Sequence, residues 1–139
     1  MVVLDLLGDD CVAFRRQLER VAEDAGLPGT LFRIAIEEVE AWYLGDREAL
    51  ALAYTRFRSK ALVDHEQDSL GGTWERLAEA VYDGGARPLV RAGYAAIGLA
   101  KAEWARAIGP HMAMDRNASA SFCKFRDGIR RLLATASTP

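Results

Sequence analysis

Three glutamates, Glu37, Glu38 and Glu40, stand within RIAIEEVEAWYLGD (Arg33 to Asp46), between an apolar run of strand type and a Trp-Tyr-Leu patch. Carboxylates so grouped can bind a hard cation or move a proton. Apolar alternation at Ile34 and Ile36 lengthens to helical spacing at Val39, Trp42 and Tyr43, which predicts a strand giving way to a helix at Glu37. On that helix Glu37 and Glu40 share a face and form the better joint metal pair. Glu38 points about 100° away, on the side of Trp42, where it can meet a basic side chain instead. A solvated first helical turn, favoured by the helix dipole, is the plainer account of the same acids.

A second acidic group comprises Asp5, Asp9 and Asp10. Asp5 lies near the end of the apolar run VVLDL, and nearby carboxylates at a strand end can hold Mg²⁺, with Asp5 and Asp9 as the ligands here. Asp9 and Asp10 also read as helix caps. Other nucleophile and ligand patterns are weak. His65 and His111 have no HxxxH or HxH partner, Ser119-Ala120-Ser121 lacks a nucleophile elbow and reads as a cap, and Trp42, Tyr43, Trp74 and Trp104 fall on apolar helical faces. Basic residues gather as Arg56, Arg58 and Lys60, as Arg87 and Arg91, and as Lys124, Arg126, Arg130 and Arg131. A phosphate-contact surface can be built from two such groups, although a solvated face is the commoner outcome.

The elements that must position these residues begin with Val2 to Leu6, Asp10 to Ala25 and Leu31 to Ile36, read as strand, helix and strand. The helix buries Cys11, Phe14, Leu18, Val21, Ala22 and Ala25 and closes at Gly26 and Pro28. The result is a βαβ unit with two parallel strands and a right-handed crossover. The rest reads as helical. Asp46 caps a helix through Tyr54, Thr73 caps another bearing Trp74, Leu77, Ala78 and Val81, and Arg56 to Gly72 is an exposed connection. Ala95 to Ile108 is Ala-rich. Ser119 caps a last helix with Phe122, Phe125, Ile129 and Leu132 inward, weakened at Gly128 by about 1 kcal/mol relative to Ala. The expected fold class is therefore α/β, a small parallel sheet followed by a mostly helical part, with residues 1–45 as βαβ core and junction helix and 46–139 as the helical part of one domain.

Length and charge agree with that reading. The chain has 139 residues and a formal net charge of -2, so no global attraction draws it to nucleic acid or to an anionic membrane. Cys11 and Cys123 are too few and too far apart for a zinc pattern or a disulfide framework and read as buried thiols of a reducing compartment. With no long apolar run or signal segment, the expectation is a cytoplasmic protein without membrane contact.

Four blocks in order, VVLDLLGDDC, RIAIEEVEAWYLGD, KAEWARAIGPHM and NASASFCKF, resemble the signature of the Toprim-like domain-of-unknown-function family 4276 over most of the chain. Members of that family are similar to the Toprim half of overcoming-lysogenization-defect nucleases and are often encoded beside an ATPase. The resemblance implies Mg²⁺ chemistry on phosphodiesters, with nucleic acid and an ATPase as partners. Toprim domains use a glutamate after a first strand and an Asp-x-Asp pair after a later one. Asp5 matches the first acid of the pair, Leu7 replaces the second, and the first strand with its glutamate has no counterpart, so an N-terminally truncated member is expected.

Two carboxylates fewer leave too little charge to fix Mg²⁺ unless Asp9, Glu37 or Glu40 substitutes, which predicts impaired catalysis. Lys101 or Arg33 would stabilise developing charge. The missing strand would also leave a sheet edge open to pairing, with a second copy as a homodimer or with the ATPase partner. A non-catalytic docking module is the alternative reading.

Overall fold

Val2–Leu6 (β1) and Phe32–Ile36 (β2) pair in parallel, with Val2 opposite Phe32 and Asp5 opposite Ala35. The computed structural model describes residues 1–6, 8 and 10–136; Leu7 and Asp9 lie outside the described residues, and with Asp9 its expected roles as helix cap and metal ligand. A parallel pair needs a crossover, supplied by helix α1 (Cys11–Asp24). Asp10 caps α1 by accepting a hydrogen bond from the Ala13 amide at 2.8 Å. The expected βαβ unit is present, and the fold is mixed α/β.

Six further helices follow: α2 (Glu40–Leu44), α3 (Arg47–Ala53), α4 (Thr73–Val81), α5 (Ala86–Ala92), α6 (Tyr94–Ile108) and α7 (Ala120–Ala136). The main core lies among them rather than at the sheet. Leu44, Leu50, Leu62, Leu77, Trp104 and Ile108 are fully enclosed there. A smaller cluster of Ala35, Trp42 and Phe122, with Phe125 stacked on Trp42 at 4.8 Å, helps bind the sheet to α7. No helix among the described residues is long and apolar enough to cross a membrane.

Several local expectations change. Helix α2 begins at Glu40, because Glu37 adopts φ 61°, a left-handed conformation that breaks continuity from the strand. Thr73 is the first residue of α4 rather than its cap, which is Gly72. Val21 and Leu132 face outward, since α1 and the end of α7 extend past the surface they cover. The connection from Arg56 to Gly72 is partly packed: Ser59–Leu62 forms a 3₁₀ turn that buries Leu62, and Arg58 donates to the carbonyls of Ala78, Glu79 and Tyr82 at the end of α4. Asp46 and Ser119 cap α3 and α7 as their side chains predict, accepting from the Ala49 and Phe122 amides.

Candidate functional site

At the carboxyl end of the strand pair, Asp5 of β1 comes beside Glu38 and Glu40, which follow β2. Lys101 reaches them from the middle of α6. Its Nζ lies 2.6 Å from Glu38 Oε1 and 3.6 Å from Glu40 Oε2. Glu40 is 3% exposed, and Glu38 Oε2 is buried with no hydrogen-bond partner among the described residues. Lys101 thus pairs with two carboxylates, and Asp5 lies near enough to feel the charges of Glu38 and Lys101.

Two of these acids are raised, chiefly by desolvation. Asp5 is exposed on its strand, yet partial desolvation raises its carboxyl above the usual range, the Glu38 charge adds to the rise, and Lys101 with the Val39 amide offsets part of it. Burial likewise raises Glu40; Lys101 opposes it, while Glu38 and Asp5 reinforce it. Tyr43 is raised by burial and then by Glu40. Such a cluster gains from a proton or a second cation, and its oxygen donors suit a hard metal ion. Among the described residues, however, no three His, Cys, Asp or Glu side chains already converge as a ligand set.

Glu37 is elsewhere. Its carboxylate accepts from the Gly72 amide at 3.0 Å, the Thr73 amide at 2.9 Å and the Thr73 hydroxyl, closing the N-terminus of α4. The structure therefore does not join Glu37 to Glu40 as a pair. The positive φ turns residue 37 away from the helical face it was expected to share. Glu38 instead joins Glu40, and its expected basic neighbour is Lys101.

Arg33 is also apart from the acidic cluster. It is buried beneath α7, where Nε donates to the Lys124 carbonyl and Nη1 to the Phe32 carbonyl, both at 2.7 Å. The alternation of Ile34 and Ile36 carried the signal: it places Arg33 and Ala35 together on the opposite face of β2. Of the basic groups, Arg126 and Arg130 are paired with Asp115 and Asp127, so they contribute less to a phosphate surface than their number suggests.

The last block is structural. Trp42 Nε1 donates to Ser121 Oγ at 2.8 Å, and Asn117 Nδ2 donates to the Trp42 carbonyl at 2.7 Å. A Cβ at Gly45 would collide with the Asn117 side chain and come within 2.9 Å of the Ser119 amide. The sequence blocks around Asp5, Trp42, Lys101 and Ser121 therefore meet in space. Compared with models of known families, with curated proteins and with solved structures, the chain finds no match.

Proposed function

We propose that the chain is a Toprim-like component of a nuclease-type, defence-associated system acting with an ATPase, with weakened catalysis of its own. The observation that carries this reading is the pairing of Glu38 and Glu40 with Lys101, with Asp5 electrostatically coupled to both acids, at the carboxyl end of parallel strands, where open α/β sheets place their ligands. Mg²⁺ would be held by these three carboxylates, and the partnerless Glu38 Oε2 is the donor most in need of it. Bound there, the ion supplies charge neutralisation on a phosphate and an acidified water. Lys101 holds Glu38 and Glu40 in place and offers a positive charge to a phosphate oxygen. Leu7, at the position of a second aspartate, accounts for the weakened activity.

Thermal melting with MgCl₂ or MnCl₂ tests this. At one hundred times Kd the bound ion contributes about 2.7 kcal/mol, a rise of roughly 9 °C for a chain of this size. Asp5→Ala abolishes the rise. Glu37→Ala lowers the melting temperature yet keeps it. An unchanged wild-type melting temperature across the metal series would sink the metal reading.

A second reading, a non-catalytic module that docks on the ATPase, is favoured by β1. This strand has no outer neighbour among the described residues, and Val2 and Val3 are 39% and 41% exposed. The bond from the Val2 amide to the Leu31 carbonyl, extended by the parallel alternation, turns the Val3 amide outward, available to an added strand. Val3→Pro removes that donor without touching the ladder to β2. Affinity capture of the proposed ATPase partner is then lost in Val3→Pro and retained in Asp5→Ala; retention in both variants eliminates docking through β1.

A further inference from the structure

The outer side of β2 opens into a groove of ≈ 480 Å³, bounded by α1 and α7 and floored by Phe32 and Ile34. No residue of β1 lines it, so it lies on the flank of β2 away from its partner strand. Four cationic side chains enter: Arg15 from α1, Arg33 from β2, and Lys124 and Arg131 from α7. Two acids also line it, and both are committed. Asp68 accepts from Ser119 Oγ at 2.7 Å and the Ser121 amide at 2.9 Å, and Asp127 is paired with Arg126 at 2.9 Å. Arg15 is paired with Glu19, one turn further along α1. For Arg33, Lys124 and Arg131, no carboxylate lies within ion-pair distance among the described residues.

Arg33 is the decisive member. It is only 8% exposed, its Nε and Nη1 are held by main-chain carbonyls, and Nη2 has no acceptor among the described residues. Burying a guanidinium without a counter-ion is costly, and the site increases that cost by adding neighbours of the same sign. Burial lowers the Arg33 pKa, and Arg131 and Arg15 lower it further against a partial offset from Asp127. Fastening β2 to α7 accounts for Nε, and Nη1 is held within β2 itself. Neither bond accounts for the convergence of cations around the third donor.

We propose that this groove is a phosphate-recognition site, in which Arg33, Lys124 and Arg131 hold the phosphate of a phosphomonoester or of a nucleic-acid backbone. Its volume suits a phosphate with an attached organic group, which Phe32 and Ile34 would contact. A guanidinium with an open N–H matches a phosphate oxygen, and flanking ammonium and guanidinium groups neutralise the remaining charge. An added β-strand fits less well, because the outward carbonyl of Phe32 is already occupied by Arg33. The site uses none of Asp5, Glu38, Glu40 or Lys101, so it stands or falls separately from metal binding.

The test is an NMR titration of the ¹⁵N-labelled full chain, following arginine Nε–H and backbone amide signals. One arm adds inorganic phosphate; the other adds a short single-stranded oligodeoxynucleotide. The expected result is a saturable shift at Arg33 and Arg131 that weakens with added salt. Arg131→Gln and Lys124→Gln, both at exposed positions, each raise Kd by about tenfold with unchanged melting temperature. Saturation by phosphate alone supports a phosphomonoester site, and saturation by the oligonucleotide with phosphate competing supports backbone recognition. The proposal is overturned if neither arm saturates or if both variants bind as wild type does.

Discussion

Asp46 accepts four hydrogen bonds while almost wholly buried: from the Ala49 and Ala113 amides and from Arg116 Nε and Nη2. Burial alone would raise its carboxyl, but the Arg116 bond and the two amides outweigh burial and hold it below the ordinary aspartate range. A depressed folded pKa stabilises the protein above the unfolded value of about 3.9, and that stabilisation is lost as pH falls through the folded pKa. Asp46→Asn therefore weakens its charge-assisted bonds and costs about 1 to 2 kcal/mol at neutral pH. It also flattens the dependence of stability on pH below 4, which urea unfolding across an acid series would reveal. A parallel pair of curves for wild type and variant would refute this account. Asp5 and Glu40 run the other way: with raised folded pKa values they bind protons more tightly when folded, so their ionisation erodes stability as pH rises above the usual carboxylate range. The cap of Asp46 was legible from its neighbours in sequence, because capping is local. Its bond to Arg116 was not, because nothing local couples residues seventy positions apart. Glu37 was misread for the same reason, since its partners, Gly72 and Thr73, lie beyond the reach of helical spacing.

Helix α7 carries a glycine where its propensity favours another residue, and the reason lies on β2. A Cβ at Gly128 would come within 2.7 Å of Arg33 Nε and 3.0 Å of Nη2, so the missing side chain makes room for the guanidinium. Gly128→Ala gains about 1 kcal/mol in helix propensity but forces the arginine from its bonds to the Lys124 and Phe32 carbonyls. The net change expected is a loss of roughly 1 to 2 kcal/mol. In an Arg33→Ala background the sign reverses and the alanine stabilises, so a double-mutant cycle by chemical denaturation checks the coupling. Stabilisation by Gly128→Ala in the wild-type background would mean that Arg33 does not press on α7. At this scale the sequence was informative about existence and less so about ends. Strands β1 and β2, the crossover helix and the caps at Asp10 and Ser119 all follow from apolar period and side-chain oxygens. The start of α2 did not, because a single left-handed residue at Glu37 leaves no mark in the periodicity.

The whole molecule places its principal core among α2 to α6 and carries the sheet as a thinner layer joined through α7 and Lys101. Composition does not distinguish that arrangement from one centred on the strands, since both contain the same apolar residues; only the long-range bonds decide. Those bonds also set an order of events during synthesis. The α7 side of β2 is covered only when Arg33 meets Lys124 and Trp42 meets Ser121, across 91 and 79 positions. Contacts of such separation form late. On the ribosome, then, β1 and β2 would leave the exit tunnel long before α7 exists to shield them, and the hydrophobic flank of β2 would wait uncovered through most of translation. Chaperone demand for this protein would concentrate in that interval and end when the last helix docks.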